Sequence, residues 1–155
     1  PYQCTLVPVK EGEITSNHCW DIQKHEKLLV TAIERIKAKG IRVSLFMDAE
    51  PNLMAGAAAV GADRVELYTE PYAAAKTERE IANQFAKLRE SHDAALDAGM
   101  VLNAGHDLDL NNLPRLQELQ GIKEVSIGHA LISYALYVGL TKAVKDFLKA
   151  CGQEI

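Results

Sequence analysis

Cysteines are few in this chain of 155 residues, and their spacing excludes two classes of small protein. Cys4, Cys19 and Cys151 are odd in number and form no C-x-x-C pair. Neither a disulfide framework nor a cysteine zinc site is indicated, so we expect three free thiols.

Long apolar runs are also missing. The best candidate, 130–140, is too short to cross a bilayer, and no signal peptide opens the chain, so we expect a cytoplasmic protein with no membrane partner.

Basic residues do not cluster, and aromatic residues make up only 6% of the chain. With a formal charge of -4 and no basic run, the sequence argues against nucleic acid as a partner. Anionic small ligands stay compatible with it, because a local site can be positive on an acidic protein. The composition, 48% hydrophobic and 25% charged, is that of an ordinary globular domain.

Strand and helix patterns alternate five times along the chain. The predicted strands are 2–9, 41–47, 63–69, 100–103 and 123–127, and the predicted helices are 21–39, 53–60, 77–98, 111–120, 130–138 and 140–150. Such alternation predicts an α/β fold with a parallel sheet. The turn after the first strand lacks G-x-G-x-x-G, which disfavours an open dinucleotide-binding sheet. We therefore predict a (β/α)₈ TIM barrel, of which residues 1–155 form one partial domain: the last five units plus an extra short helix.

The stretch Asn-Ala-Gly-His-Asp-Leu at 103–108 is the first candidate site. An apolar run ends there in Gly105-His106, and the pattern returns as Gly128-His129 at the start of a helix. Histidine suits proton transfer near neutral pH, and glycine leaves room for a substrate at the backbone. The alternative is a turn in which His106 only caps a loop.

Two further polar positions have open interpretations. Glu66 lies inside a predicted strand between Val65 and Leu67, so it faces either solvent or the interior of a closed barrel. The polar loop 10–20, which contains Thr15, is either a binding loop or a solvated connection.

His92 lies on the apolar face of the helix predicted at 77–98, where we expect it to pack rather than to bind a ligand.

Several motifs resemble those of the pyridoxine 5′-phosphate synthase family of vitamin B6 biosynthesis. They are Ile-Arg-Val-Ser-Leu-Phe-Met-Asp at 41–48, Val-Glu-Leu-Tyr-Thr at 65–69 with Tyr72-Ala73, Val-Leu-Asn-Ala-Gly-His-Asp-Leu at 101–108, and Ser-Ile-Gly-His-Ala at 126–130. Leu-Val-Pro-Val-Lys at 6–10, followed by Glu-Ile-Thr-Ser at 13–16, resembles the family's fourth strand and loop. The resemblance runs through the whole chain and covers the C-terminal three-fifths of the family's length.

The resemblance implies a transferase that acts without metal or cofactor. It would condense 1-deoxy-D-xylulose 5-phosphate with 3-amino-2-oxopropyl phosphate, releasing phosphate and water. His106 would be the proton donor and Glu66 the carboxylate that stabilises the transition state. Thr15 would contact the xylulose phosphate, while Asp107, Gly128 and His129 would bind the amino-ketone phosphate. The family also implies a homo-oligomer.

Two departures and one absence bear on that expectation. Glu70-Pro71 and Asp107 stand where some relatives have glycine, so Asp107 is expected to bind through its backbone. The family's first three strands, with further acid-base groups, have no counterpart in this sequence. The alternative is therefore a catalytically incomplete half-barrel that binds phosphate or assembles. An aldolase or epimerase is disfavoured, because no lysine other than Lys10 follows a strand where a Schiff base would form.

Overall fold

The computed structural model describes residues 1–9, 12 and 18–154. Within them, five parallel strands form one sheet whose spatial order is the chain order. They are β1 (Gln3–Leu6), β2 (Arg42–Met47), β3 (Arg64–Tyr68), β4 (Val101–Gly105) and β5 (Ile122–Ser126). The sheet is a half-barrel, which confirms the predicted α/β class and partial TIM barrel.

Helices connect consecutive strands, and the last two helices follow β5. They are α1 (Ile22–Lys37), α2 (Pro51–Ala59), α3 (Glu70–Ala73), α4 (Glu78–Asp97), α5 (Leu113–Leu116), α6 (His129–Val138) and α7 (Leu140–Ala150). Asp21 caps α1 by accepting a hydrogen bond from the Lys24 N–H, and Thr77 opens α4 with a complete capping box. No helix in the described part of the chain is long and apolar enough to cross a membrane.

Along each strand, side chains point alternately toward the helices and toward the concave side of the sheet. On β2, Val43, Leu45 and Met47 are fully buried in the main hydrophobic cluster beneath the helices. Ser44 and Phe46 therefore face the concave side. Across that side, Gln3 Nε2 on β1 donates a hydrogen bond to Glu124 Oε2 on β5 at 3.2 Å. Because three strands separate these two, the contact requires strong curvature of the sheet.

Several predicted bounds are wrong. The first strand ends at Leu6 rather than at residue 9, since Pro8 has no N–H to donate to a ladder. The helix predicted at 111–120 spans only Leu113–Leu116, and Gln117 and Leu119 continue as turns with hydrogen bonds three residues back. α2 begins at Pro51, two residues before its predicted start. The short helix α3 was not predicted at all.

Candidate active site

A cavity of about 1020 Å³ opens at the carboxyl ends of β3, β4 and β5. Its lining includes five residues that the sequence analysis singled out: Glu66, His106, Asp107, Gly128 and His129. The carboxyl ends of parallel strands are where barrel enzymes place their chemistry. Thr15, the sixth, lies outside the described residues. The topology thus brings together at one cavity residues that are as far as 63 positions apart in sequence.

His106 directly follows β4 and has an unusual backbone conformation. Its φ is 83°, and that of Asp107 is 55°, both in the left-handed region that residues with a β-carbon seldom adopt. The half-buried imidazole lies 4.8 Å from the Phe46 ring and 5.1 Å from the Tyr68 ring, between centroids. These three rings contact one another, so the imidazole has a defined place at the edge of the cavity.

The backbone that carries His106 is tied to neighbouring segments by side chains. Thr69 Oγ1 lies 2.6 Å from the Gly105 carbonyl oxygen and 2.5 Å from that of His106. Asn112 Nδ2 donates to the Asp107 carbonyl at 3.0 Å. Three successive carbonyl groups of the turn therefore accept hydrogen bonds from side chains.

Glu66 lies on the concave face of β3, so the interior position is the correct one of the two that the sequence left open. Its side chain is only 8% exposed, and Oε2 accepts a hydrogen bond from Thr5 Oγ1 on β1 at 3.3 Å. The missing side chain of Gly105 leaves the space that its other carboxylate oxygen occupies. A largely buried carboxylate in the wall of a cavity can stabilise positive charge on a bound molecule.

The start of α6 also lines the cavity. Gly128 is the N-cap and His129 the first helical residue, and within the described part of the chain no side-chain cap hydrogen bond is made to the first-turn N–H groups. Free N–H groups and the helix dipole favour an anion at this place. Among the described residues that line the cavity, none is lysine or arginine. Within the described part of the cavity, attraction for a phosphate can come from this helix start and from the imidazoles.

Two groups near the cavity have raised pKa values. Burial, and then the negative charges of Glu70 and Asp107, raise the pKa of the Tyr68 phenol, so it stays protonated and can donate a hydrogen bond. Burial, together with the charge and hydrogen bond of Asp48, raises the pKa of the Cys19 thiol. A protonated thiol is a poor nucleophile. The prediction of free cysteines is confirmed for all three.

Histidine 92 packs as the sequence predicts. It is 5% exposed, with Nδ1 at 2.8 Å from Asp93 Oδ1 and Nε2 at 2.7 Å from the Gln120 carbonyl oxygen. It lies outside the cavity lining. The described residues contain no group of three or more histidine, cysteine, aspartate or glutamate side chains placed to bind a metal ion.

The sequence analysis assigned no role to several residues that line the cavity or contact its lining: Thr5, Phe46, Tyr68, Thr69 and Asn112. Strand periodicity places Phe46, Glu66 and Tyr68 on one face, so their neighbourhood was within reach of the sequence. The hydrogen bonds of Thr69 and Asn112 to the His106 turn were not, because they depend on how separate loops meet above the sheet.

Comparison with known proteins decides the family. The family model described as "Pyridoxal phosphate biosynthesis protein PdxJ" matches residues 1–153. The chain belongs to the PdxJ family. This confirms the resemblance seen in the sequence motifs and places the cavity within a family described by its part in pyridoxal phosphate biosynthesis.

Several relatives within the PdxJ family are named pyridoxine 5′-phosphate synthase. The one from Albidiferax ferrireducens is 50% identical over 153 residues, covering 98% of this chain and 61% of the relative. The one from Chelativorans sp. is 47% identical over 155 residues, covering 97% and 62%. The one from Christiangramia forsetii is 45% identical over 150 residues, covering 96% and 63%. The chain spans about three-fifths of the length of these relatives.

Proposed function

We propose that this chain carries the C-terminal part of the active site of a pyridoxine 5′-phosphate synthase. The enzyme condenses 1-deoxy-D-xylulose 5-phosphate with 3-amino-2-oxopropyl phosphate and closes the pyridine ring. The observation that supports this most is the meeting of His106, Glu66 and the start of α6 at one cavity in a PdxJ-family chain. Ring closure with loss of water and phosphate needs proton transfer and anion binding, and these groups can supply both.

In this proposal His106 is the proton donor and Glu66 the charge stabiliser. The imidazole stands at the cavity edge against Phe46 and Tyr68, and an imidazolium can protonate a leaving oxygen. Glu66 lies deeper in the same cavity, where a largely buried carboxylate interacts strongly with developing positive charge. The two side chains then act on different atoms of one bound molecule.

The amino-ketone phosphate binds at Gly128 and His129 in this proposal. The uncapped N–H groups of α6 supply donors, and the imidazole of His129 adds a further one. Asp107 contributes through its backbone, because its exposed carboxylate would repel a phosphate. Thr15, which lies outside the described residues, contacts the xylulose phosphate. No metal or cofactor takes part in the proposed reaction.

The second candidate is a half-barrel that binds phosphate without turnover. One observation favours it: the described lining of the cavity offers one anion position, the start of α6, and neither lysine nor arginine, whereas the proposed reaction brings two phosphate groups into the site. The choice between the two depends on whether the protein that carries this chain turns over.

The proposal also includes a cytoplasmic location and self-association, the latter supported by Leu136 and Tyr137 on α6, which are 82% and 90% exposed.

Turnover is tested on the protein that carries this chain, after its intact mass has been measured. Pyridoxine 5′-phosphate is assayed from the two phosphate substrates, and His106→Ala is expected to abolish its formation. The control is Glu26→Gln, an exposed residue of α1 that is absent from the cavity lining, and this variant should leave turnover unchanged. No product from the unsubstituted protein contradicts the synthase, and undiminished product from His106→Ala contradicts the role of His106.

Phosphate binding is tested with a charge pair at Gly128. Among the described residues, a β-carbon there meets nothing within 4 Å, so both Gly128→Asp and Gly128→Asn have space for their side chains. The two side chains have the same shape, but only the aspartate repels an anion at the helix start. We expect Gly128→Asp to raise the KM of the amino-ketone phosphate at least about tenfold above that of Gly128→Asn. Equal KM values would place the phosphate elsewhere.

A further inference from the structure

Thr69 makes an unusual set of contacts just after β3. It is fully buried, and its backbone N–H donates to the Gly105 carbonyl at 2.9 Å. Its hydroxyl lies 2.6 Å from that same carbonyl oxygen and 2.5 Å from the His106 carbonyl oxygen. A hydroxyl has a single hydrogen, so it is shared between the last strand carbonyl and the first carbonyl of the turn.

The hydroxyl of Thr69 is not used where such a hydroxyl is usually found. Thr69 is the N-cap of α3, a position at which threonine commonly accepts hydrogen bonds from the helix N–H groups. Its side chain makes no such bond. Instead it points across to β4 and the turn that carries His106. The local helix therefore gives no reason for a hydroxyl at this position.

The turn that receives these hydrogen bonds is strained. His106 and Asp107 have φ values of 83° and 55°, and each has a β-carbon, which disfavours this region. Residues in such conformations persist only where the surrounding structure enforces them, and they concentrate at functional sites. Thr69 binds the carbonyls before and after the His106 α-carbon. Asn112 holds the Asp107 carbonyl and is itself held by the Tyr72 hydroxyl at 2.8 Å.

We propose that Thr69 is a positioning residue for His106. Its hydroxyl fixes the left-handed backbone of His106 and so determines where the imidazole lies against Phe46 and Tyr68. Relaxation of φ to a negative value would swing the β-carbon of His106 away from the two rings and out of its present place at the cavity. This inference rests on the proposed function, because it assigns His106 the proton transfer.

Kinetics provide the first test, with variants that separate the hydroxyl from the shape of the side chain. Thr69→Val removes the hydroxyl and keeps the volume, while Thr69→Ser keeps the hydroxyl. In the protein that carries this chain, we expect Thr69→Val to lower kcat about 10- to 100-fold, because small misplacements of a catalytic group cost that much. The KM of the amino-ketone phosphate should change less than about twofold, since Thr69 is absent from the cavity lining. Thr69→Ser should restore kcat.

The second test observes the imidazole directly. The ring protons of His106, assigned by their loss in His106→Ala, feel the ring currents of Phe46 and Tyr68 in the NMR spectrum. We expect these resonances to move in Thr69→Val and to return in Thr69→Ser. Unchanged resonances in Thr69→Val overturn the proposal, as does a loss of kcat that serine does not restore.

The tests still give a result if Thr69→Val does not fold or if the unsubstituted protein is inactive. If Thr69→Val does not fold, as judged by its thermal transition, the smaller Thr69→Ala removes the same hydroxyl and takes its place in both tests. If the unsubstituted protein forms no product, the proposed function fails. The NMR comparison then still decides whether Thr69 positions His106, so the two failures are distinguishable.

Discussion

Gly105 on β4 has no side chain, and the carboxylate of Glu66 on β3 occupies the space that such a side chain would need. A β-carbon on Gly105 would overlap Glu66 Oε1 and would lie 3.1 Å from the Ser126 β-carbon on β5. The φ of Gly105 is not in the left-handed region, so this glycine is required by space rather than by backbone conformation. The position of the buried carboxylate thus depends on the residue that precedes His106.

Gly105→Ala should displace the Glu66 carboxylate. The nearest atom is the end of a side chain and can move, whereas the contact with Ser126 is tighter than an ordinary one. We expect the free energy of unfolding to fall by about 1–3 kcal/mol, as for other overpacked sites. The rate of pyridoxine 5′-phosphate formation should fall by at least about tenfold, because Glu66 is misplaced. Urea unfolding and the product assay measure the two effects.

The matched control is Gly56→Ala on α2. A β-carbon there would make ordinary contacts of 3.7 Å with the Ile22 side chain, and Gly56 has no left-handed φ. Glycine within a helix is less favourable than alanine by roughly 0.5–1 kcal/mol. We therefore expect Gly56→Ala to raise the free energy of unfolding by about that amount and to leave turnover unchanged. Destabilisation by Gly56→Ala would show that the α1–α2 contact cannot accept a methyl group.

Asp63 should make stability depend on acid pH. Burial opposes its ionisation, but hydrogen bonds from Lys37 Nζ at 2.7 Å and the Val43 N–H at 2.9 Å outweigh that effect and lower its pKa. The stabilisation is fully present above the pKa of the unfolded chain, about 3.9. It is lost as the pH falls through the lower pKa of the folded state.

The variant Asp63→Asn removes this contribution. Its unfolding free energy should lie below that of the unsubstituted protein near neutral pH, and the gap should shrink as the pH falls below about 4. Urea titrations at several pH values measure it. The exposed Glu26→Gln on α1 is the control and should show a much smaller change. A gap that stays constant with pH would assign the effect to shape rather than to charge.

Thr77→Ala should weaken the start of α4. Thr77 Oγ1 accepts from the Glu80 N–H at 3.2 Å, and the Glu80 carboxylate accepts from the Thr77 N–H at 2.9 Å. Loss of such an N-cap costs about 1 kcal/mol. We expect that decrease in the free energy of unfolding for Thr77→Ala and a much smaller one for Thr77→Ser, which keeps the hydroxyl. Equal decreases would mean that the methyl group, not the cap, stabilises this helix start.

Much of the fold could be predicted from the sequence because its signals are local. The capping box at Thr77 and the left-handed Gly99 define α4 within a few residues, and Gly40 and Gly61 end the preceding helical segments with positive φ. The helix predicted at 111–120 is longer than α5 because that prediction also used only local signals. Its apolar spacing suits a helix, but Asp109 accepts from the Asn111 and Asn112 N–H groups and turns the chain there.

The sequence by itself determined the parallel α/β order, the family and the residues that bear the candidate chemistry, since each of these follows from spacing and residue type along the chain. Only the tertiary structure decided which face Glu66 occupies and how His106 is oriented. Glu66 depends on Thr5 and Gly105 on other strands, and His106 depends on Phe46 and Tyr68 on other strands and on Thr69 at the start of α3. Contacts between distant segments fix these positions, and no local pattern contains them.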